Sequence, residues 1–173
     1  MNVFKVIRQR RSIRKYLKKE VEYEKLLRII EAGRLAPSSK NRQEWRFVFV
    51  MNSKTKSKLV DAARGQKFVE EAPIVIIACA TGTDYIMRCG QPAYTIDVSI
   101  ALTQMNLQAV EEGLGCCWIG SFYEDKVREI LGIPENIRIV ELMTLGYPAE
   151  QPNPKPRLSI DEIAFAEHWG NPL

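Results

Sequence analysis

The sequence predicts a layered fold of α+β or α/β class, with four or five strands and one heavily buried helix. Three observations carry this. Apolar runs rich in β-branched residues, at 47–51 and 73–80, have the length of strands. Residues 93–112 keep helical periodicity throughout and are apolar on two sides, as a helix packed between layers is. Helix-like and strand-like segments follow one another with no repeat and no linker to divide them.

In chain order, Asn2 can cap a short helix carrying Val3, Val6 and Ile7, which runs into the basic segment RQRRSIRKY. Tyr23, Leu26, Leu27 and Ile30 recur at helical spacing, and Gly33 lies near that helix's end. A polar loop, APSSKNRQEW, occupies 36–45, and 47–51 reads as a buried strand. Ser53 can cap a helix through Leu59, Val60 and Ala63, with a second short helix over 66–71. Pro73 opens the strand IVIIACA, because its missing N–H is tolerated at a strand's first residue. A loop at 81–92 leads to the longest helix, 93–112. Val98, Ala101, Leu102, Met105 and Ala109 form one of its stripes, and Ile96, Ile100, Leu107 and Val110 the other. Gly113 and Gly115 end it. Residues 116–119 read as a short strand. An amphipathic helix over 123–131 (Val127, Ile130, Leu131) is stopped by Gly132 and Pro134. A strand follows over 137–145. The segment 148–157 holds four of the chain's nine prolines and reads as extended and stiff. Ser159 and Glu162 have the capping-box spacing of a last short helix.

At 173 residues the chain suits one domain, 1–173, able to bury a core without disulfides or metal. Hydrophobic residues at 46% and charged ones at 27% exclude wholesale disorder. No apolar run approaches the roughly 20 residues of a membrane-spanning helix. The basic N-terminus lacks the apolar stretch of a secretory signal. Cys116 and Cys117 are adjacent, no C-x-x-C is present, and His168 is the sole histidine, so the usual zinc sites are not expected. The cysteines read as reduced core residues of a cytoplasmic protein.

The net charge of +4 is unevenly spread. Residues 1–19 hold eight of the 25 basic side chains and none of the 21 acidic ones, which leaves the remainder at −4. Within that stretch, Arg10-Arg11-Ser12-Ile13-Arg14 packs guanidinium groups and a hydroxyl closely enough to suit a phosphate. A solvated basic segment and a nucleic-acid contact also stay open for residues of this kind. Pro37-Ser38-Ser39-Lys40-Asn41-Arg42-Gln43 is rich in side-chain donors and acceptors, which fits recognition of a planar heterocycle or ordinary turn chemistry. In GCCWIGSF, Gly120 allows close approach of backbone to a ligand or a tight turn. Lys155-Pro156-Arg157 sets two cations on a stiff arm, or on a solvated tail. The loop at 81–92 holds Tyr85, Met87 and Arg88, with Cys89 beside them and no obvious group to activate it.

Together, RRSIRKY near residue 10, APSSKNRQEW after the second helix, GLGCCWIGSF after the long helix, and GYP…KPR near the C-terminus resemble the FMN-dependent nitroreductase family, over essentially the whole chain. The resemblance implies an α+β sandwich with a central mixed or antiparallel sheet of four to five strands. It also implies a homodimer with FMN at the subunit interface. Arg10, Ser12 and Arg14 would contact the FMN phosphate and ribityl chain, with Arg11 acting through its backbone, and Lys155 and Arg157 would close on the same phosphate. Pro37, Ser38, Ser39 and Asn41 would reach the flavin from the other subunit, with Gln43 supporting that loop. Ile119 and Gly120 would lie along the flavin ring, with a backbone N–H near N5. NADH or NADPH would be the reductant, and a nitroaromatic, quinone or related small molecule the acceptor. No acid–base side chain, nucleic acid or membrane is expected. Longer members carry a helical excursion that this chain has no room for.

Overall fold

The computed structural model describes residues 2–173. Seven α-helices are described: α1 (Val3–Gln9), α2 (Tyr23–Arg34), α3 (Ser53–Ala62), α4 (Phe68–Glu71), α5 (Ala93–Glu111), α6 (Glu124–Leu131) and α7 (Ile160–Ile163). The four strands are β1 (Trp45–Val50), β2 (Ile74–Ala80), β3 (Gly115–Ile119) and β4 (Arg138–Gly146). They form one sheet in the order β1-β2-β4-β3, every pairing antiparallel. The class is therefore α+β and the sheet is antiparallel throughout.

Both faces of the sheet are covered. Alternate side chains of β2 divide between two cores: Ile74, Ile76 and Ala78 pack with α2 and α5, while Val75, Ile77 and Cys79 pack with α3, α4 and α6. That is why β2 is an unbroken apolar run although its pairing is antiparallel. The N-terminal segment joins the free edge of β3. Ser12 bridges Cys116 in parallel, and the Ile13 N–H donates to the Cys116 carbonyl at 2.9 Å. Gly115 makes this possible, since a Cβ there would overlap the Ile13 side chain.

Local signals read from the sequence are present: Asn2 Oδ1 accepts from the Phe4 N–H, and Ser159 and Glu162 form the reciprocal capping box. Four details differ. The cap of α3 is Asn52, whose Oδ1 accepts from the Thr55 N–H, and not Ser53. Gly115 begins β3 and does not stop α5. The inward face of α2 is Leu26, Ile29 and Gly33; Tyr23 and Leu27 point outward, because the bare Cα of Gly33 lets Met105 of α5 approach and turns the helix toward that contact. Strand β1 is an edge with Val48 exposed rather than a buried strand. The long helix is buried, as expected, with its two stripes covered unequally. Val98, Ala101, Leu102, Met105 and Ala109 are in the core, whereas Ile96 is 40% exposed and Ile100, Leu107 and Val110 are partly covered. No helix among the described residues is long and apolar enough to cross a membrane.

Candidate functional site

Two segments far apart in sequence converge on one cleft of about 730 Å³. Arg8, Arg10, Arg11, Ser12 and Arg14 line it from the N-terminal segment, and Lys155 and Arg157 from the proline-rich arm. The bridge between Ser12 and β3 fixes the first side. Arg10 and Arg14 lie near Cys116 and Cys117: burial pushes both thiols up, and these two guanidinium groups oppose the shift. The second side is held by backbone contacts, the Leu17 N–H to the Tyr147 carbonyl and the Ala149 N–H to the Lys15 carbonyl, each at 2.9 Å.

Arg11 joins the two sides. Its Nε donates to the Pro152 carbonyl at 3.1 Å, and its Nη1 donates to the carbonyls of Arg8 and Arg10 at 2.7 and 2.9 Å. This guanidinium is thus engaged in holding the arm. Among the described residues, Arg10, Arg14, Lys155 and Arg157 have no carboxylate ion pair, so their charge faces the cleft and its solvent. One carboxylate does enter: Glu150 Oε1 accepts from the Arg14 backbone N–H at 2.7 Å. A concave surface with this many cations and one hydroxyl can bind a phosphate through charge-assisted hydrogen bonds.

The loop that holds Pro37, Ser38, Ser39, Asn41 and Gln43 does not line that cleft within one chain. It is built against the start of α5. The Ser39 N–H lies 3.1 Å from both oxygens of Asp97, and the Ser39 hydroxyl donates to Oδ1 at 3.1 Å. The Gln43 N–H donates to Ser38 Oγ at 3.1 Å, and Gln43 Nε2 donates to Asn41 Oδ1 at 3.0 Å, so Gln43 braces the loop. Lys40, Asn41 and Gln43 have φ of 54°, 56° and 51°, a left-handed backbone that side-chain-bearing residues adopt only when the surroundings enforce it.

The loop at 81–92 packs on this one. Tyr85 lies under Lys40 and Arg42, at 4.5 and 5.2 Å from its ring centre, and Arg42 also pairs with Glu44 and with Asp84. Met87 Sδ is 3.8 Å from the Ser39 hydroxyl, while Arg88 and Cys89 are exposed. All four cysteines are free.

Ile119 ends β3 and Gly120 follows it, four residues beyond Cys116, or about 13 Å at the usual strand rise. The Ile119 side chain is buried in the core with Val127 and Leu142, which leaves only its backbone for a ligand. Gly120 is exposed, and Glu141 Oε1 stands 3.3 Å from where its Cβ would be. Three site features escaped the sequence reading: Asp97, Glu150 and Glu141. Asp97 alone left a signal, as the one carboxylate in an otherwise uncharged run from 93 to 110.

The chain matches the Nitroreductase family over residues 7–81 and 60–147. It is 34% identical to the NADH dehydrogenase of Thermus thermophilus over 188 residues, covering 91% of this chain and 92% of that protein. The crystal structure of a nitroreductase family protein from Clostridium novyi superposes with a TM-score of 0.83 at 34% identity, covering 99% of this chain and 97% of that one. The NADPH:FMN oxidoreductase of Vibrio harveyi, solved in complex with NAD+, superposes with a TM-score of 0.88 at 29% identity, covering 98% of this chain and 78% of that one.

Proposed function

This chain belongs to the nitroreductase family, and from that premise we propose that it is an NAD(P)H-dependent flavin oxidoreductase acting through FMN. The observation that carries the reading is the single cleft in which Arg10, Ser12, Arg14, Lys155 and Arg157 meet. Its donors are cationic and hydroxylic, which suits the doubly charged phosphate of FMN.

When bound, FMN supplies the hydride and electron chemistry. The chain supplies placement. Arg10, Ser12, Arg14, Lys155 and Arg157 hold the phosphate, and Arg11 holds the arm against the N-terminal segment. The edge of β3 runs from Cys116 beside the cleft to Gly120, a span that suits the ribityl chain, so Ile119 and Gly120 offer backbone to the ring. Pro37, Ser38, Ser39 and Asn41, braced by Gln43, close on the ring from a second copy of the chain.

That arrangement requires a homodimer. Supporting it, Val3, Phe4 and Ile7 of α1 and Ile96 of α5 leave an apolar surface uncovered, as do Leu158, Ile160, Ile163 and Trp169 of the tail. We read 1–173 as one flavin-binding domain, working in the cytoplasm, where four free cysteines are ordinary. A nitroaromatic, quinone or similar small molecule is the acceptor, received beside Tyr85 and Met87.

The test is direct. Purified protein should carry or take up FMN and turn yellow, and NADH or NADPH without air should bleach it. Protein that stays colourless with added FMN, or whose bound FMN neither nicotinamide reduces, would show the reading to be wrong.

A further inference from the structure

We propose that Glu141 is the proton-holding carboxyl of this site, delivering the proton that acceptor reduction needs besides the hydride. The inference rests on the FMN reading above. It starts from an irregularity in the sheet. Ala78 pairs with Glu141, but the next residue, Cys79, pairs with Ile139, so Val140 is an extra residue on β4. A bulge of this kind re-aims a side chain. Here it leaves a carboxylate on an inner strand, on the same face as Ala78 and on the side of α5.

The opening in front of that carboxylate is Gly120. Any side chain at 120 would start 3.3 Å from Glu141 Oε1, so glycine there keeps a route from the exposed end of β3 to the acid. Glu141 is half-buried, and no hydrogen bond or ion pair holds its side chain among the described residues. Burial alone pushes its carboxyl up. The titratable groups on the surrounding elements are Arg46 on β1, Cys79 on β2, Cys116 and Cys117 on β3, Arg138 on β4, and Tyr94, Asp97 and, at its far end, Glu111 on α5. Arg46 donates to the carbonyls of Gln43 and Trp45, Arg138 pairs with Glu124, and Asp97 holds Ser39. Glu141 is thus free to exchange a proton.

Reduction of a quinone to a hydroquinone consumes one hydride and one proton. The hydride comes from NAD(P)H by way of the cofactor. The proton comes from Glu141: its O–H bond breaks, an O–H bond forms on the acceptor oxygen, and water returns a proton to the carboxylate.

Two measurements test this. In apo wild-type protein, isotope-edited infrared titration of labelled glutamate should show one carboxyl ionising above the ordinary range, and that band should be missing from Glu141→Gln. In stopped-flow oxidation of the reduced protein by a quinone, the wild-type rate should be level at low pH and fall as pH rises through that ionisation. Glu141→Gln should be slower by about a hundredfold and flat with pH, while Glu141→Asp recovers a pH-dependent profile. An unchanged pH profile in Glu141→Gln, or no raised carboxyl in the wild type, overturns the inference and leaves the flavin reading intact. Wild-type protein that does not take up FMN overturns that reading instead.

Discussion

Ser39 gives both its backbone N–H and its hydroxyl proton to Asp97, a carboxylate 3% exposed on the first turns of α5. This contact ties a strained surface loop to the largest helix. Asp97→Ala removes the acceptor and strands two donors, so it should cost about 1–3 kcal/mol of stability, with Asp97→Asn in between. Urea unfolding midpoints measure it, and equal midpoints for Ala and wild type would dismiss Asp97 as an anchor.

The cleft assignment predicts a difference between two ligands. Arg10→Ala or Arg157→Ala each deletes a charge-assisted contact worth about 1.5–3 kcal/mol. FMN affinity should therefore drop by roughly tenfold to a hundredfold, while riboflavin, which lacks the phosphate, should bind nearly as before. Titration of apo protein by flavin fluorescence reports both. Parallel losses for the two flavins would mean that the cations do not read phosphate.

Arg11 should behave differently from its neighbours. Its guanidinium reaches the carbonyls of Arg8, Arg10 and Pro152 in one geometry, which the ammonium of lysine does not reproduce. Arg11→Lys keeps the charge but should release the arm, seen as faster proteolysis within 151–158. Arg10→Lys should leave that cleavage rate unchanged. Equal protection in Arg11→Lys and wild type would remove Arg11 from its role as a clasp.

Acid stability offers another test. Glu22 is held down to about 2, first by the Tyr147 hydroxyl at 2.6 Å and then by other hydrogen bonds, including that with Lys19. A carboxylate with a depressed folded pKa contributes stability in full above its unfolded value near 4.5, and that contribution is lost as pH falls toward 2. Glu22→Gln should therefore lose less stability than wild type between pH 5 and pH 2 (about the span of such a shift), read as the change in urea midpoint. Matching slopes would contradict the assignment.

What was legible from sequence follows from how local each cause is. The caps at Asn2 and Ser159, the αL turn at Gly132 and the apolar strand β2 depend on residues a few positions apart, and all are present. The choice between Asn52 and Ser53 as cap was not decidable, because neighbouring residues of the same capping class differ only in where the backbone leaves the extended region. The second stripe of α5 looked buried because apolar periodicity does not say whether a face meets its own chain or another. The basic residues of the N-terminus and arm could be grouped from charge, but Glu150 and Glu141 could not: one is placed by an arm folding back, the other by a bulge between β2 and β4.

The arm that carries Lys155 and Arg157 has prolines at 148, 152, 154 and 156. Each proline locks one backbone torsion before any ligand arrives. A flexible tail would surrender much conformational freedom on capturing an anion; this one behaves as a strut that has little left to lose. Its grip should accordingly show in slow ligand escape more than in fast capture. Glycines at 154 and 156 would loosen the hold without removing a single charge.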